Sequence, residues 1–180
     1  HQGWDVSDYN LASHPSQQAM LAMFTELAGE NIDIVGVDGC TLPAPRLSLV
    51  GFARALAKIA APDLLKGTMS KSAEQIMAST MQFPFLTGGS KSPNSIMTAA
   101  SSKKFFAKNG AEGVYAVILP EARAAMALKI TDGSMRAADV AIAGMLLQMA
   151  EHLNLDKDML NKFTTEDMYN SANVKVGACR

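Results

Sequence analysis

A chain of 180 residues that is 48% apolar and 18% charged carries enough apolar side chain for one domain with a buried core, which excludes an intrinsically disordered protein. Its 16 Lys and Arg against 17 Asp and Glu leave a formal net charge of −1, and the basic residues are dispersed, so neither a nucleic-acid nor a membrane footprint is present. The expected partner is therefore a small molecule. No apolar stretch reaches the roughly 18 residues needed to cross a bilayer, and no basic-then-apolar leader opens the chain. The expectation is a soluble, cytoplasmic protein whose two cysteines, Cys40 and Cys179, are free thiols. The chain begins at His1 rather than methionine, which reads as processing or as a cut from something longer.

After an irregular polar opening that holds the single tryptophan, Trp4, the stretch HPSQQAMLAMFTELAG places Met20, Met23, Phe24 and Leu27 at helical spacing and stops at Gly29. IDIVGV is short and β-branched, a strand ending at the glycines. The prolines of TLPAPR then break the chain, and LSLVGFARALAKIA predicts a second helix. SAEQIMASTMQF predicts a third, capped by Ser70 or Ser72 and ending before Pro84. FLTGGSKSPNSIM is a loop leading into a short helix. GAEGVYAVILP and AAMALKITDG form a hairpin whose connection around Pro120-Glu121 is longer than a two-residue turn. SMRAADVAIAGMLLQMAEHL is expected to be the longest helix, followed by a shorter one in DKDMLNKF and an edge strand in NVKVGACR. Helices mixed with a hairpin give an α+β fold with antiparallel pairing.

Few local motifs carry chemistry. Ser101-Ser102-Lys103-Lys104 contains a formal Ser-x-x-Lys, in which a lysine one helical turn away activates a serine, but the pattern is short and lies in a polar run. Gly-x-Ser-x-Gly, His-Glu-x-x-His, a P-loop, GxGxxG and CxxC are all absent from the sequence. His14, just before Pro15, reads as a capping residue, and His152 as a favourable charge at the negative end of the long helix. The 12 methionines read as adaptable core filling. Asp38 and Cys40 stand two residues apart, and on an extended segment they point to one side. A carboxylate and a thiolate both suit zinc, which normally takes three or four protein ligands. Two readings stay open there: a turn aspartate beside a buried cysteine, or part of a metal site.

Taken in order, GVDGCTLPAPRLSLVGFARALAKIA, FPFLTGGSKSPNSIM, KNGAEGVYAVILPEARAAMALKITDGSMRA and VKVGACR resemble the blocks of the bacterial and fungal asparaginase II family, which includes the rhizobial-type L-asparaginases. The opening HQGWDVSDYNLASHPSQ is similar to the segment preceding the first helix there. The resemblance runs over essentially all of the chain and covers roughly the carboxy-terminal half of the family's length. It implies an antiparallel sheet flanked by helices, similar to the serine β-lactamase and glutaminase fold and here partial. Residues 1–180 would be a single domain, the carboxy-terminal portion of a longer chain.

The implied activity is hydrolysis of the L-asparagine side-chain amide to aspartate and ammonia, through a serine that attacks the amide and an oxyanion hole of backbone N–H groups. The family's nucleophilic Ser-x-x-Lys and its Cys-Ser-Gly-Lys-His block lie amino-terminal to the matched region. Residue by residue, Asp38 and Cys40 match an Asp-Gly-Cys block whose acid and thiol join a cysteine and a lysine of the missing block around zinc, the implied cofactor. Lys129 matches a strand-end lysine of the family's site and is the implied catalytic residue, orienting the substrate carboxylate or lowering the pKa of the nucleophile's partner. Glu112, between Gly110 and Gly113, is an implied substrate contact. So is Lys91, where the family usually has arginine and a bidentate fork is exchanged for a point charge. The implied partners are a small amino-acid substrate and either a second copy in a homodimer or the missing amino-terminal segment. A non-catalytic remnant, or a subunit pairing with a separate amino-terminal chain, is the alternative; Lys91 and the PEARAA turn are the departures that favour it. A penicillin-recognising enzyme lacks support, its Ser-Asp-Asn and Lys-Thr-Gly elements being absent.

Overall fold

The computed structural model of the protein describes residues 2–33 and 35–180. Its contacts gather into two compact units, residues 1–55 and 56–180. Among the described residues are seven α-helices and three antiparallel sheets, an α+β fold.

The first unit opens with α1 (Pro15–Ala28). His14 is its N-cap as expected: the ring Nδ1 accepts from the Ser16 N–H at 3.2 Å, while Nε2 lies 2.6 Å from the Asp5 carbonyl and tethers the polar opening. Gly29 ends the helix at φ 65°, donating its N–H to Thr25. β1 (Val35–Val37) pairs antiparallel with β2 (Pro43–Pro45). Ile34, inside the predicted strand, lies outside the described residues. The prolines expected to break the chain form β2 instead, because a short two-stranded ribbon has a free edge to which their missing N–H groups can face. α2 (Leu49–Ala60) starts beside Glu30, whose carboxylate accepts from the Ser48 N–H and hydroxyl, both at 2.7 Å, and is held below the ordinary carboxylate range by those bonds. Gly51 is required there, since a Cβ would meet that carboxylate at 2.5 Å.

The second unit is built on a three-stranded sheet, β3 (Phe106–Asn109), β4 (Val114–Leu119) and β5 (Ala124–Lys129), in the order β3-β4-β5. α3 (Thr68–Gln82), α4 (Phe85–Gly88) and α5 (Pro93–Ala100) precede it; α6 (Met135–Gln148) and α7 (Lys157–Asn161) follow. One sheet face, carrying Ala107, Tyr115, Val117, Met126 and Leu128, packs on Met97 of α5, on Ala138, Ile142, Ala143 and Leu146 of α6, and on Met159 and Leu160 of α7. The other face meets a smaller layer in which Ile118 and Phe106 pack with Leu56, Ile59 and Ala60 of α2 and with Met77 and Met81 of α3. β6 (Glu166–Tyr169) and β7 (Lys175–Cys179) make a separate ribbon.

Three sequence expectations shift. α3 starts at Thr68 after Gly67, so Ser70 and Ser72 lie inside the helix rather than capping it. At 15 residues α3 is also longer than α6, which stops at Gln148 after 14; His152 lies beyond α6 in the turn that follows and cannot serve that helix's dipole. β3 and β6, to which the sequence pattern assigns no element, are strands because each is an edge whose outward positions tolerate charge. Truncating Ile142, fully buried between α6 and the sheet, to alanine should lower unfolding free energy by about 2–5 kcal/mol. Urea denaturation followed by circular dichroism measures it.

Candidate active site

Side chains alternate across a sheet, so the register decides which residues meet. Lys108 pairs with Ala116, and Lys129 with Val114. Ala116 and Val114 are two apart on β4, so Lys108 and Lys129 stand on the same face, the one that α2 and α3 cover only around Ile118 and Phe106. Both lysines are exposed. Lys129 donates to the Ile130 carbonyl, and Lys108 to the carbonyl and side-chain oxygen of Asn109 at 2.6 and 3.1 Å. Lys108 was not singled out in the sequence. The signal that finds it is the pairing of β3, which fixes its face.

The turn from β3 to β4 supplies a carboxylate at the same end. The Gly110 N–H donates to Val114 at 2.8 Å and the Ile130 N–H to Gly113 at 3.0 Å, tying the Gly110–Gly113 turn to the end of β5. Glu112 is left-handed at φ 57° and Gly113 at φ 67°. A Cβ on Gly113 would lie 2.8 Å from the Ile130 Cβ, and one on Gly133 would lie 2.7 Å from Glu112 Oε2. The two glycines therefore let the Glu112 side chain lie close along the Gly133 backbone. Two cations and one anion thus stand at one end of the sheet. Lys91 stands elsewhere, exposed on the loop between α4 and α5.

Behind this end, on the packed face, lies a buried polar contact. Tyr115 is fully buried, and its hydroxyl and Asp139 Oδ1 on α6 are each without a partner at hydrogen-bonding distance. Burial pushes the Asp139 carboxyl up to about 6; the Tyr115 hydroxyl pulls the other way, and Glu166 adds repulsion. Burial and the Asp139 charge push the Tyr115 hydroxyl up as well.

The Asp38–Cys40 pair belongs to the first unit and is not extended. The Asp38 N–H donates to Leu42, and the Thr41 N–H to the Asp38 carbonyl, both at 3.0 Å, so Gly39, Cys40 and Thr41 are the loop of the β1–β2 hairpin. The premise of two side chains aligned on a strand is corrected by this turn. Asp38 Oδ1 accepts from the Cys40 and Leu42 N–H groups at 2.8 and 3.1 Å, and Thr41 sits at φ 68°. The β6–β7 hairpin repeats the device: Asn170 Oδ1 accepts from Ala172 and Val174 at 2.9 and 3.0 Å, with Asn173 at φ 61°. Asp38 thus performs a backbone task that an amide oxygen performs equally well. Cys40 is exposed on the turn rather than buried, and Cys179 is likewise a free thiol. Among the described residues no group of three or more His, Cys, Asp and Glu is placed to hold a metal.

Ser101 and Lys104 do not form a catalytic pair. Ser101 is buried at the end of α5, its Oγ 2.8 Å from the Thr98 carbonyl and 3.1 Å from that of Phe105, while Lys104 donates to the Asn154 carbonyl. The hydroxyl is spent on closing the helix.

A family model for L-asparaginase II matches residues 1–180. The chain belongs to the L-asparaginase II family. A comparison with curated proteins finds no match. Membership places the protein among amidohydrolases of the asparaginase kind. No helix among the described residues of this L-asparaginase II chain is long and apolar enough to cross a membrane.

The raised Asp139 carboxyl gives a signed pH effect. Between its unfolded value, near 4, and about 6 the folded state holds a proton that the unfolded chain has released, so stability falls as pH rises through that window. Asp139→Asn should remove this fall and leave the protein more stable than wild type at pH 7. Melting temperatures from pH 4 to 7 test it, and parallel curves for the two proteins would refute it.

Proposed function

We propose that the protein hydrolyses the side-chain amide of L-asparagine to L-aspartate and ammonia. The family match over residues 1–180 carries the reading, and the lysine pair with Glu112 on the open sheet end supports the choice of an amino acid as substrate. A serine hydroxyl attacks the amide carbon, its proton passes through a base to the departing nitrogen, and ammonia leaves. Water then attacks the ester, releasing aspartate and restoring the serine. In this reading the nucleophile comes from outside residues 1–180, and the burial of Ser101, the serine of the one local Ser-x-x-Lys, in a helix cap supports it.

In this reading Lys129 holds the substrate carboxylate with Lys108 across the sheet, and Glu112 faces the ammonium group. Lys91, on the separate loop between α4 and α5, is left out of this contact. Ammonia release from L-asparagine by the complete enzyme is the test. Lys129→Ala should lower kcat/KM about 10- to 100-fold, the range expected for one charge-assisted contact. Ser101→Ala should leave kcat unchanged. A folded Ser101→Ala enzyme without activity would return the nucleophile to this chain and overturn the mechanism.

For the metal, we infer that Cys40 rather than Asp38 is the zinc contact, joined by groups from outside these residues. In the complete enzyme Cys40→Ala should lose zinc measured by mass spectrometry. Asp38→Asn should keep it, since an amide oxygen can close the same turn. Zinc loss in Asp38→Asn with the fold intact would make the carboxylate a ligand after all.

A further inference from the structure

At the opposite end of β4 and β5 from the lysine pair, three segments enclose a cavity of about 260 Å³. Its floor is Leu119 at the end of β4 and Leu155 after α6, both buried. Glu121 lines it from the β4–β5 turn, His152 and Asn154 from the turn after α6, and Lys104 from the segment before β3. Within this small apolar-floored space the charges are mixed and unspent. Lys104 gives one of its donors to the Asn154 carbonyl, leaving an ammonium group with further donors turned to the same cavity. Glu121 lines it too and makes no ion pair among the described residues. The neighbouring charges are already taken: Glu151 pairs with Lys157 at 2.5 Å and Arg123 with Asp63 at 2.6 Å.

We propose that this cavity binds a small free α-amino acid, its carboxylate on Lys104, its ammonium on Glu121 and a short apolar side chain on Leu119 and Leu155. A simple anion would leave Glu121 repelling it, and a simple cation would meet Lys104; only a ligand carrying both charges answers both walls. The volume, below the several hundred Å³ of ordinary ligand pockets, suits one amino acid better than a peptide or nucleotide. Along β4, Leu119 lies about 17 Å from Val114 at ~3.4 Å per residue, so this ligand does not compete with a substrate on Lys129. The site therefore stands or falls independently of the activity proposed above.

Amide chemical shifts of the protein titrated with L-valine test it. Shifts should appear at Glu121, Ala122 and Leu153 to Leu155 and saturate, while isobutyrate and isobutylamine, each lacking one charge, should bind at least tenfold more weakly. Lys104→Ala and Glu121→Gln should each weaken L-valine binding about tenfold. Glu121 is on an exposed turn, so its variant reads out binding even if Lys104→Ala fails to fold. No saturating shift at these residues overturns the proposal. Equal binding of isobutyrate, or unchanged affinity in Glu121→Gln, also overturns it by removing the need for two charges.

Discussion

The register of β3, β4 and β5 is the constraint from which the rest of the second unit follows. A strand has only two faces, and a slip by one residue would exchange them. With Lys108 on Ala116 and Lys129 on Val114, every large apolar residue of the packed face, from Ala107 and Tyr115 to Leu128, turns toward α5, α6 and α7. The same alternation forces both lysines to the other face. Placing either on the packed face would bury an unpaired ammonium group, at a cost larger than most single side chains return. Core and charge therefore enforce one register together.

That second face is divided along its length. Around Ile118 and Phe106 it is covered by apolar residues of α2 and α3, whereas toward Val114 it ends in lysines that no helix can cover without desolvating them. An open, charged sheet end beside a buried one is thus written into alternate residues of two strands. The glycines complete it. Gly113 and Gly133 allow two turns to approach until a carboxylate lies along bare backbone: a methyl group on Gly133 would meet that carboxylate, and one on Gly113 would meet Ile130 and the Gly133 backbone.

Elements with strong periodicity or a clear cap were legible in the sequence: α1 from His14 to Gly29, α2, the start of α6 and the β4–β5 hairpin stand where spacing placed them. What escaped were elements whose identity is tertiary. β2 is Pro-Ala-Pro and becomes a strand only because β1 lies beside it; β3 is four residues with a lysine and an asparagine, and it is a strand because β4 accepts it. Missing β3 also hid Lys108, since a residue's face has no meaning until its strand is paired. Family resemblance brought Lys129, Glu112 and Lys91 into view, but the local sequence did not reveal that Lys129 and Glu112 share a sheet end while Lys91 stands on a separate loop.

The aspartate and thiol of Gly-Val-Asp-Gly-Cys illustrate why proximity in sequence is weak evidence for a shared role. Two hairpins of this chain close in the same way, with a side-chain oxygen accepting from the residues two and four positions on and a left-handed residue at the third. In one that oxygen belongs to Asp38, in the other to Asn170. A feature that recurs on an amide, in a turn with no thiol, is explained by turn geometry. The thiol has no such explanation: Cys40 is exposed between Gly39 and Thr41, and the turn uses only its backbone N–H. The acid shapes the loop, and the loop presents the thiol. Whatever meets Cys40 must therefore approach from outside the hairpin, on the loop that Asp38 Oδ1 shapes.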